Sequence, residues 1–251
     1  MTTTDVSAIQ PITRSDTEQL AATEYARFAE QLRSLSGDDW TRPTDCPLWD
    51  VRAMAGHSVG MMADFTSFRS LIRRMSAATR AAKRAGGPVV DSMTAMQVAD
   101  TAHLSHDELI ERVEQLGPKA ARWRAKAPAL FRRMPMKETV GGVVETWRMG
   151  YLLDTILTRD PWMHRVDIAR ATERDAALTA DHDGRIVADV VAEWARRHGQ
   201  PFTLVLTGPA GGEFVAGDGS GEPITIDAIQ FCRILSGRAS GDGLLTQEVP
   251  F

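Results

Sequence analysis

The chain has few cysteines: Cys46 and Cys232 are the only two among its 251 residues. That is too few for a disulfide framework or a thiolate-built zinc cluster, so a metal site is expected to draw on histidines and carboxylates. Nowhere does an uninterrupted apolar run approach the ~20 residues needed to cross a bilayer. The opening "MTTTDVSAIQPITRSD" lacks a basic segment followed by an apolar one, which leads us to expect a cytoplasmic protein with no membrane partner. Lys and Arg are interspersed with Asp and Glu, and the net charge is −4, so no basic stripe suits a nucleic acid. There is no Gly-x-Ser-x-Gly elbow, P-loop or dinucleotide fingerprint, which leaves serine hydrolysis, nucleotide hydrolysis and Rossmann redox chemistry without support. Repeats and low-complexity segments are lacking too.

What is present is a hydrophobic fraction of 43%, ample for one sizeable core or two smaller ones. In "SDTEQLAATEYARFAEQLRSL", Leu20, Ala21, Tyr25, Phe28, Leu32 and Leu35 recur at threes and fours and line one helical face. The Gly, Asp and Pro of "SGDDWTRPTDCPLWD" mark a loop, and Asp50 is placed to cap a second helix running from Val51 to about Lys83. "SHDE", Ser105 to Glu108, is a capping box for a third helix that Gly117-Pro118 ends or kinks. A fourth helical pattern starts near Thr139, includes "VVETWRMGYLLDTIL", and continues through "WMHRVDIARA" with an interruption allowed at Pro161. Four long helices suggest an antiparallel four-helix bundle.

After "TERDAALTADHDG" the character changes. A helix ending at Gly199 is followed by short strands in "PFTLVLTG" and "GEFVAGDG", then by a strand entering a helix capped by Asp227. The expected fold class is α plus α+β, with the bundle in residues 1–174 and a small α+β domain in residues 175–251.

The stretch "RDPWMHRVDI" holds the chemistry. On a helix Asp160 and His164 lie one turn apart, able to present an oxygen and a nitrogen to one ion. His57, in "VRAMAGHSVGMMADF", shares a face with Met54, Met61, Asp64 and Phe65 and is the natural third ligand. Each residue also has a plainer reading: His57 as a core histidine bonded to a backbone carbonyl, Asp160 as the N-cap of a helix starting at Pro161, Asp167 as a surface charge. If His164 binds a metal, Asp167 is placed to bond its imidazole. Of the remaining histidines, His103, His106, His182 and His198 are expected at the surface. Two histidines and a carboxylate would leave coordination positions open, as in catalytic zinc and several nickel and iron sites.

Two stretches, "WTRPTDCPLWDVRAMAGHSVGMM" and "RDPWMHRVDIARA", resemble the mycothiol-dependent maleylpyruvate isomerase family, part of the wider DinB-like group of metal-binding four-helix bundles. The segment from "PFTLVLTG" through "ILSGR" to "EVPF" is similar to that family's small sterol-carrier-like domain. The resemblance implies His57, Asp160 and His164 as metal ligands, Asp167 as the acidic position after the last ligand, and Arg238 as a partner for a substrate carboxylate. It also implies mycothiol as thiol cosubstrate and a divalent metal, with zinc ahead of nickel or iron. The activity implied is isomerase or S-transferase chemistry on a small electrophile, and a homodimer is compatible with it. The family usually has Glu where this chain has Asp160, and Pro161 follows directly, so Glu145 and Asp154 are the alternative carboxylates. The readings set against this one are a non-catalytic ligand-binding or regulatory protein and a metal-activated hydrolase.

Overall fold

The structure, a computed structural model, describes residues 3–221 and 223–251. In chain order its elements are β1 (Thr4–Asp5), α1 (Arg14–Arg33), α2 (Val51–Asp64), α3 (Phe68–Ala85), α4 (Val89–Thr101), α5 (His106–Lys126) and α6 (Ala129–Arg132). There follow β2 (Pro135–Val140), β3 (Val143–Arg148), α7 (Met149–Tyr151), α8 (Leu157–Thr172), α9 (Arg185–His198), β4 (Phe202–Thr207), β5 (Gly212–Ala216), β6 (Ile224–Asp227) and α10 (Ala228–Leu235). The chain divides into two compact units. One comprises Arg14–Ala129 and Asp160–Ala176; the other comprises Met1–Thr13, Leu130–Arg159 and Ala177–Phe251.

The first unit is a bundle in which α1 packs along α5 and α2 packs on α4 and α5. Tyr25, Phe28 and Leu32 of α1 are buried, as their spacing demands. Glycines set how closely the helices approach. A Cβ at Gly60 would stand 2.5 Å from Gln97 Cβ, one at Gly56 2.4 Å from Thr101 Oγ1, and one at Gly117 2.8 Å from Tyr25 Cβ. The 160–172 part of α8 is tied to α1 by a buried ion pair, Arg165 Nε to Glu24 Oε1 at 2.7 Å, and by Gln31 Nε2 donating to the Arg165 carbonyl at 2.9 Å. Capping follows the sequence: Asp50 accepts from Ala53 N, and Ser105 and Glu108 close their box.

Three of the helices expected from the sequence come out differently, and α4 (Val89–Thr101) is a helix that the sequence reading did not place. The second helix stops at Asp64 and a new one begins after Ser67, whose hydroxyl accepts from Ser70 N. Helix α5 runs through Gly117-Pro118 to Lys126. The start of the expected fourth helix, from about Thr139, instead lies in the β2–β3 hairpin of residues 135–148, with Val140 paired to Val143. Gly141 and Gly142 both have positive φ, 53° and 78°, the two-residue turn whose twist matches antiparallel strands.

In the second unit the four-stranded sheet has the order β1-β5-β4-β6: β1 runs parallel to β5, β4 antiparallel to β5, and β4 parallel to β6. Phe202, Leu204 and Leu206 alternate into the core. The Trp194 ring of α9 lies 4.8 Å from Phe202 and 5.3 Å from Phe231 of α10. Asp227 caps α10, accepting from Ile229 N and Gln230 N. Arg159, fully buried, pairs with Asp189 at 2.6 Å and Glu193 at 2.8 Å and donates to the Pro250 carbonyl at 3.0 Å.

Candidate metal centre

The bundle brings His57, Asp160 and His164 together, with one potential ligand atom from each within 4.8 Å of the other two. His57 is carried by the buried face of α2; Asp160 and His164 lie one turn apart on α8. His164 Nε2 is 3.2 Å from Asp160 Oδ1, and His57 Nε2 is 3.7 Å from Asp160 Oδ2. The two imidazoles stand nearly perpendicular, their centroids 5.2 Å apart. Both histidines are buried, whereas the Asp160 side chain keeps 22% of its surface exposed. The Trp49 ring stacks on His57 at 4.6 Å and meets His164 edge-on at 5.8 Å.

Electrostatics couple these groups. For Asp160, burial is the largest influence and pushes its pKa up, but His164 and then His57 outweigh it and hold the carboxyl well below its ordinary range. For His164, burial again dominates singly and pushes down; Asp160, then Asp167, overcome it and raise the imidazole to about 9. Two buried polar atoms of this cluster, His57 Nδ1 and Asp160 Oδ2, have no hydrogen-bond partner. Such an atom costs on the order of 1–3 kcal/mol unless something satisfies it. Two imidazoles and a carboxylate converge here, with one atom of His57 and one of Asp160 lacking a hydrogen-bond partner, and this donor set fits a divalent cation.

The plainer readings fare differently. Among the described residues no backbone carbonyl bonds His57 Nδ1, and its Nε2 faces Asp160. Asp160 is not an N-cap: α8 begins at Leu157, directly after a π-helical turn at Leu152–Ile156, and continues through Pro161. Pro161 removes the N–H that would bond the carbonyl of Leu157, yet the helix holds Asp160 on the same face as His164. Asp167 is fully buried, its Oδ2 3.4 Å from His164 Nδ1.

Other residues lie elsewhere. Arg238 belongs to the other unit, half-buried just past α10, its backbone N–H donating to the Arg233 carbonyl at 2.8 Å. Glu145 lies on β3, held by Arg197 at 2.6 Å, and Asp154 is paired with Arg132. His182 is buried rather than at the surface. His106 stacks on Trp40 at 4.1 Å, and His198 packs on Trp194 at 4.4 Å. Apolar or aromatic packing, which charge-based reading of a loop or helix end does not anticipate, accounts for the last two. The sequence reading also set Cys46 aside; its sulfur lies within 4.8 Å of a His164 ring nitrogen and an Asp167 carboxylate oxygen.

The model of the family described as "Mycothiol maleylpyruvate isomerase N-terminal domain" matches residues 21–169, a span that includes all three clustered residues. The chain belongs to the mycothiol maleylpyruvate isomerase family. Two solved structures are similar over nearly its full length. One, of the mycothiol-dependent maleylpyruvate isomerase, is 18% identical with a TM-score of 0.56, covering 98% of each chain. The other, a histidine-to-alanine variant of that enzyme, is 16% identical with a TM-score of 0.52, covering 94% of this chain and 93% of that one. At these identities the likeness to the isomerase structures speaks to the fold. No curated protein sequence matches the chain. No helix among the described residues is long and apolar enough to cross a membrane.

Proposed function

We propose that this family member is a cytoplasmic metal-dependent enzyme that uses a low-molecular-weight thiol, mycothiol by family, to isomerise or conjugate a small electrophile. The observation that carries the reading is the convergence of His57, Asp160 and His164, with His57 Nδ1 and Asp160 Oδ2 buried and without a hydrogen-bond partner. Family membership supplies the thiol. The proposed division is residues 1–174 as the metal-bearing part, which contains the matched span of 21–169, and residues 175–251 as the small α+β domain, with residues 130–159 of the first part grouped in the compact unit of the second.

The donor set suits zinc first, with nickel or iron as other occupants. A divalent cation there supplies Lewis acidity, which lowers the pKa of a thiol and polarises substrate oxygens. The protein's own groups do the rest. Asp160 contributes negative charge, and the two imidazoles contribute neutral nitrogens. Asp167 accepts the Nδ1 proton of His164, which fixes the tautomer that leaves Nε2 available toward Asp160. Trp49 covers both histidine rings and limits the water that reaches them.

In an isomerisation, the thiol sulfur adds to one carbon of an activated double bond, the resulting single bond rotates, and loss of the same sulfur restores the double bond in the other geometry. In a transfer the sulfur stays. The test is to follow a panel of unsaturated acids, maleylpyruvate included, and epoxides by NMR with and without mycothiol. Turnover that requires the thiol is expected. Turnover without it would point to a metal-activated hydrolase, and absence of both turnover and bound metal to a non-catalytic binding protein.

A further inference from the structure

We propose that α3 is a docking surface for an anionic phospholipid bilayer: its exposed apolar row enters the headgroup region, and the arginine row beside it contacts lipid phosphates. The inference is independent of the metal centre.

Helix α3, "FRSLIRRMSAATRAAKRA", holds six basic residues and no acidic one, in a chain whose net charge is −4. Arg74 is committed within the bundle, donating to Asp64 at 2.9 Å and to Asp100 at 2.8 Å. Arg69, Arg73, Arg80, Lys83 and Arg84 are exposed, and among the described residues no carboxylate pairs with any of them.

The apolar residues of the helix divide between two lines. Leu71, Ala78 and Ala82 are buried where α3 packs on α4. Phe68, Ile72 and Met75, spaced by four and three, form a second row, and all are exposed, Ile72 by 61%. Arg69, Arg73, Arg80 and Arg84 form the next row round the helix. The apolar row continues onto α5, where the half-buried Trp123 meets the Phe68 ring edge-on at 5.2 Å. Ser67 caps the start of α3, and Gly86, with a φ of 75°, ends it, so both rows sit on a helix with defined ends.

Charge and apolar exposure together select the occupant. A basic helix with an apolar row and an adjoining tryptophan has the side chains that favour a membrane interface, where arginine stems lie along the acyl boundary and their heads reach phosphate. A second copy docked through this row about a two-fold axis would set arginine rows against each other, with no acidic residue on the helix to relieve them. A nucleic acid would pair with the arginines and leave Phe68, Ile72 and Met75 in water. With six cations on one helix and a negative net charge overall, the remainder of the chain is acidic; an anionic surface repels it and attracts α3, which orients the approach. The expectation of no membrane partner rested on the lack of a spanning or leader segment. No described helix is long and apolar enough to cross a bilayer, yet lying on its surface makes no such demand.

The experiment sediments the full-length chain with vesicles of phosphatidylcholine alone and of phosphatidylcholine mixed equally with phosphatidylglycerol. Wild type is expected to bind the mixed vesicles, to bind phosphatidylcholine far more weakly, and to be released as salt rises. Arg73→Gln combined with Arg80→Gln should weaken binding by roughly tenfold or more, and Ile72→Ser should weaken it at unchanged charge. Arg196→Gln, an exposed change on α9, should bind as wild type does. No binding to the mixed vesicles, equal binding to phosphatidylcholine alone, or wild-type binding by both α3 variants would overturn the proposal. Binding to duplex DNA in place of vesicles would reassign the face to a nucleic acid, and self-association abolished by Ile72→Ser, without vesicle binding, would reassign it to a second copy.

Discussion

Asp160 Oδ1 lies 3.2 Å from His164 Nε2, one turn away along α8. That pairing survives a proline at the very next position, because the helix is already under way at Leu157 and Pro161 falls inside it rather than at its start. The shorter carboxylate thus reaches the two histidines from a continuous helix.

His164 is held from its other side by Asp167. Replacing Asp167 with Asn keeps the shape but weakens acceptance of the Nδ1 proton, and comparable changes behind metal-bound histidines lower affinity ~10–100-fold. Competition with a chromophoric chelator should show that loss while the circular dichroism spectrum stays native. Unchanged zinc affinity would remove Asp167 from the site.

The bundle depends on the Arg165–Glu24 pair, both side chains essentially fully buried. Glu24→Ala strands a buried guanidinium, and breaking such a pair costs about 3–5 kcal/mol. Urea unfolding should show a loss of that order. A change below about 1 kcal/mol, the scale of exposed pairs, would mean that water reaches Arg165.

Helices α2 and α4 approach too closely for a side chain at Gly60, where a Cβ would stand 2.5 Å from Gln97 Cβ. Gly60→Ala gains helix propensity but overpacks the contact, and such insertions cost about 1–3 kcal/mol. Thermal unfolding should therefore show destabilisation; a stabilised variant would show that α4 moves away freely.

Asp39 gives the sign of an acid response. Its carboxylate accepts from Ser36 N at 2.8 Å and from Arg174 Nη2 at 2.7 Å, and hydrogen bonds from Ser36, then Arg174, hold its pKa at about 2 against an ordinary 3.8. A folded pKa below the unfolded one means stabilisation that is complete above about pH 4 and lost as pH falls toward 2. Asp39→Asn should unfold at a lower temperature than wild type at pH 7, with the gap closing between pH 4 and 2. A gap independent of pH would assign the effect to packing.

Much of this was legible in the residues. The caps at Asp50, Ser105 and Asp227 are local chemistry, readable from side chain and spacing alone. His57, Asp160 and His164 share periodic apolar faces, so their convergence follows from helices packing by those faces. The hairpin at 135–148 was missed because "VVETWR" fits a buried helical stripe as well as a strand; the pair Gly141-Gly142 was the signal that decides between them. Strand β1 has only two residues, Thr4 and Asp5, too few for any periodicity to register. Two cysteines are too few to suggest a thiolate site, and only the fold of the Thr44–Trp49 loop brings Cys46 to His164.

The central claim is that His57, Asp160 and His164 hold one cation. The most direct measurement is metal content by mass spectrometry on protein purified without an affinity tag, comparing wild type with His57→Ala, Asp160→Ala and His164→Ala. The account predicts about one equivalent per chain in wild type, with the metal lost or sharply reduced in all three variants. Wild type that stays metal-free after incubation with zinc or nickel, or variants that retain as much metal as wild type, would contradict it.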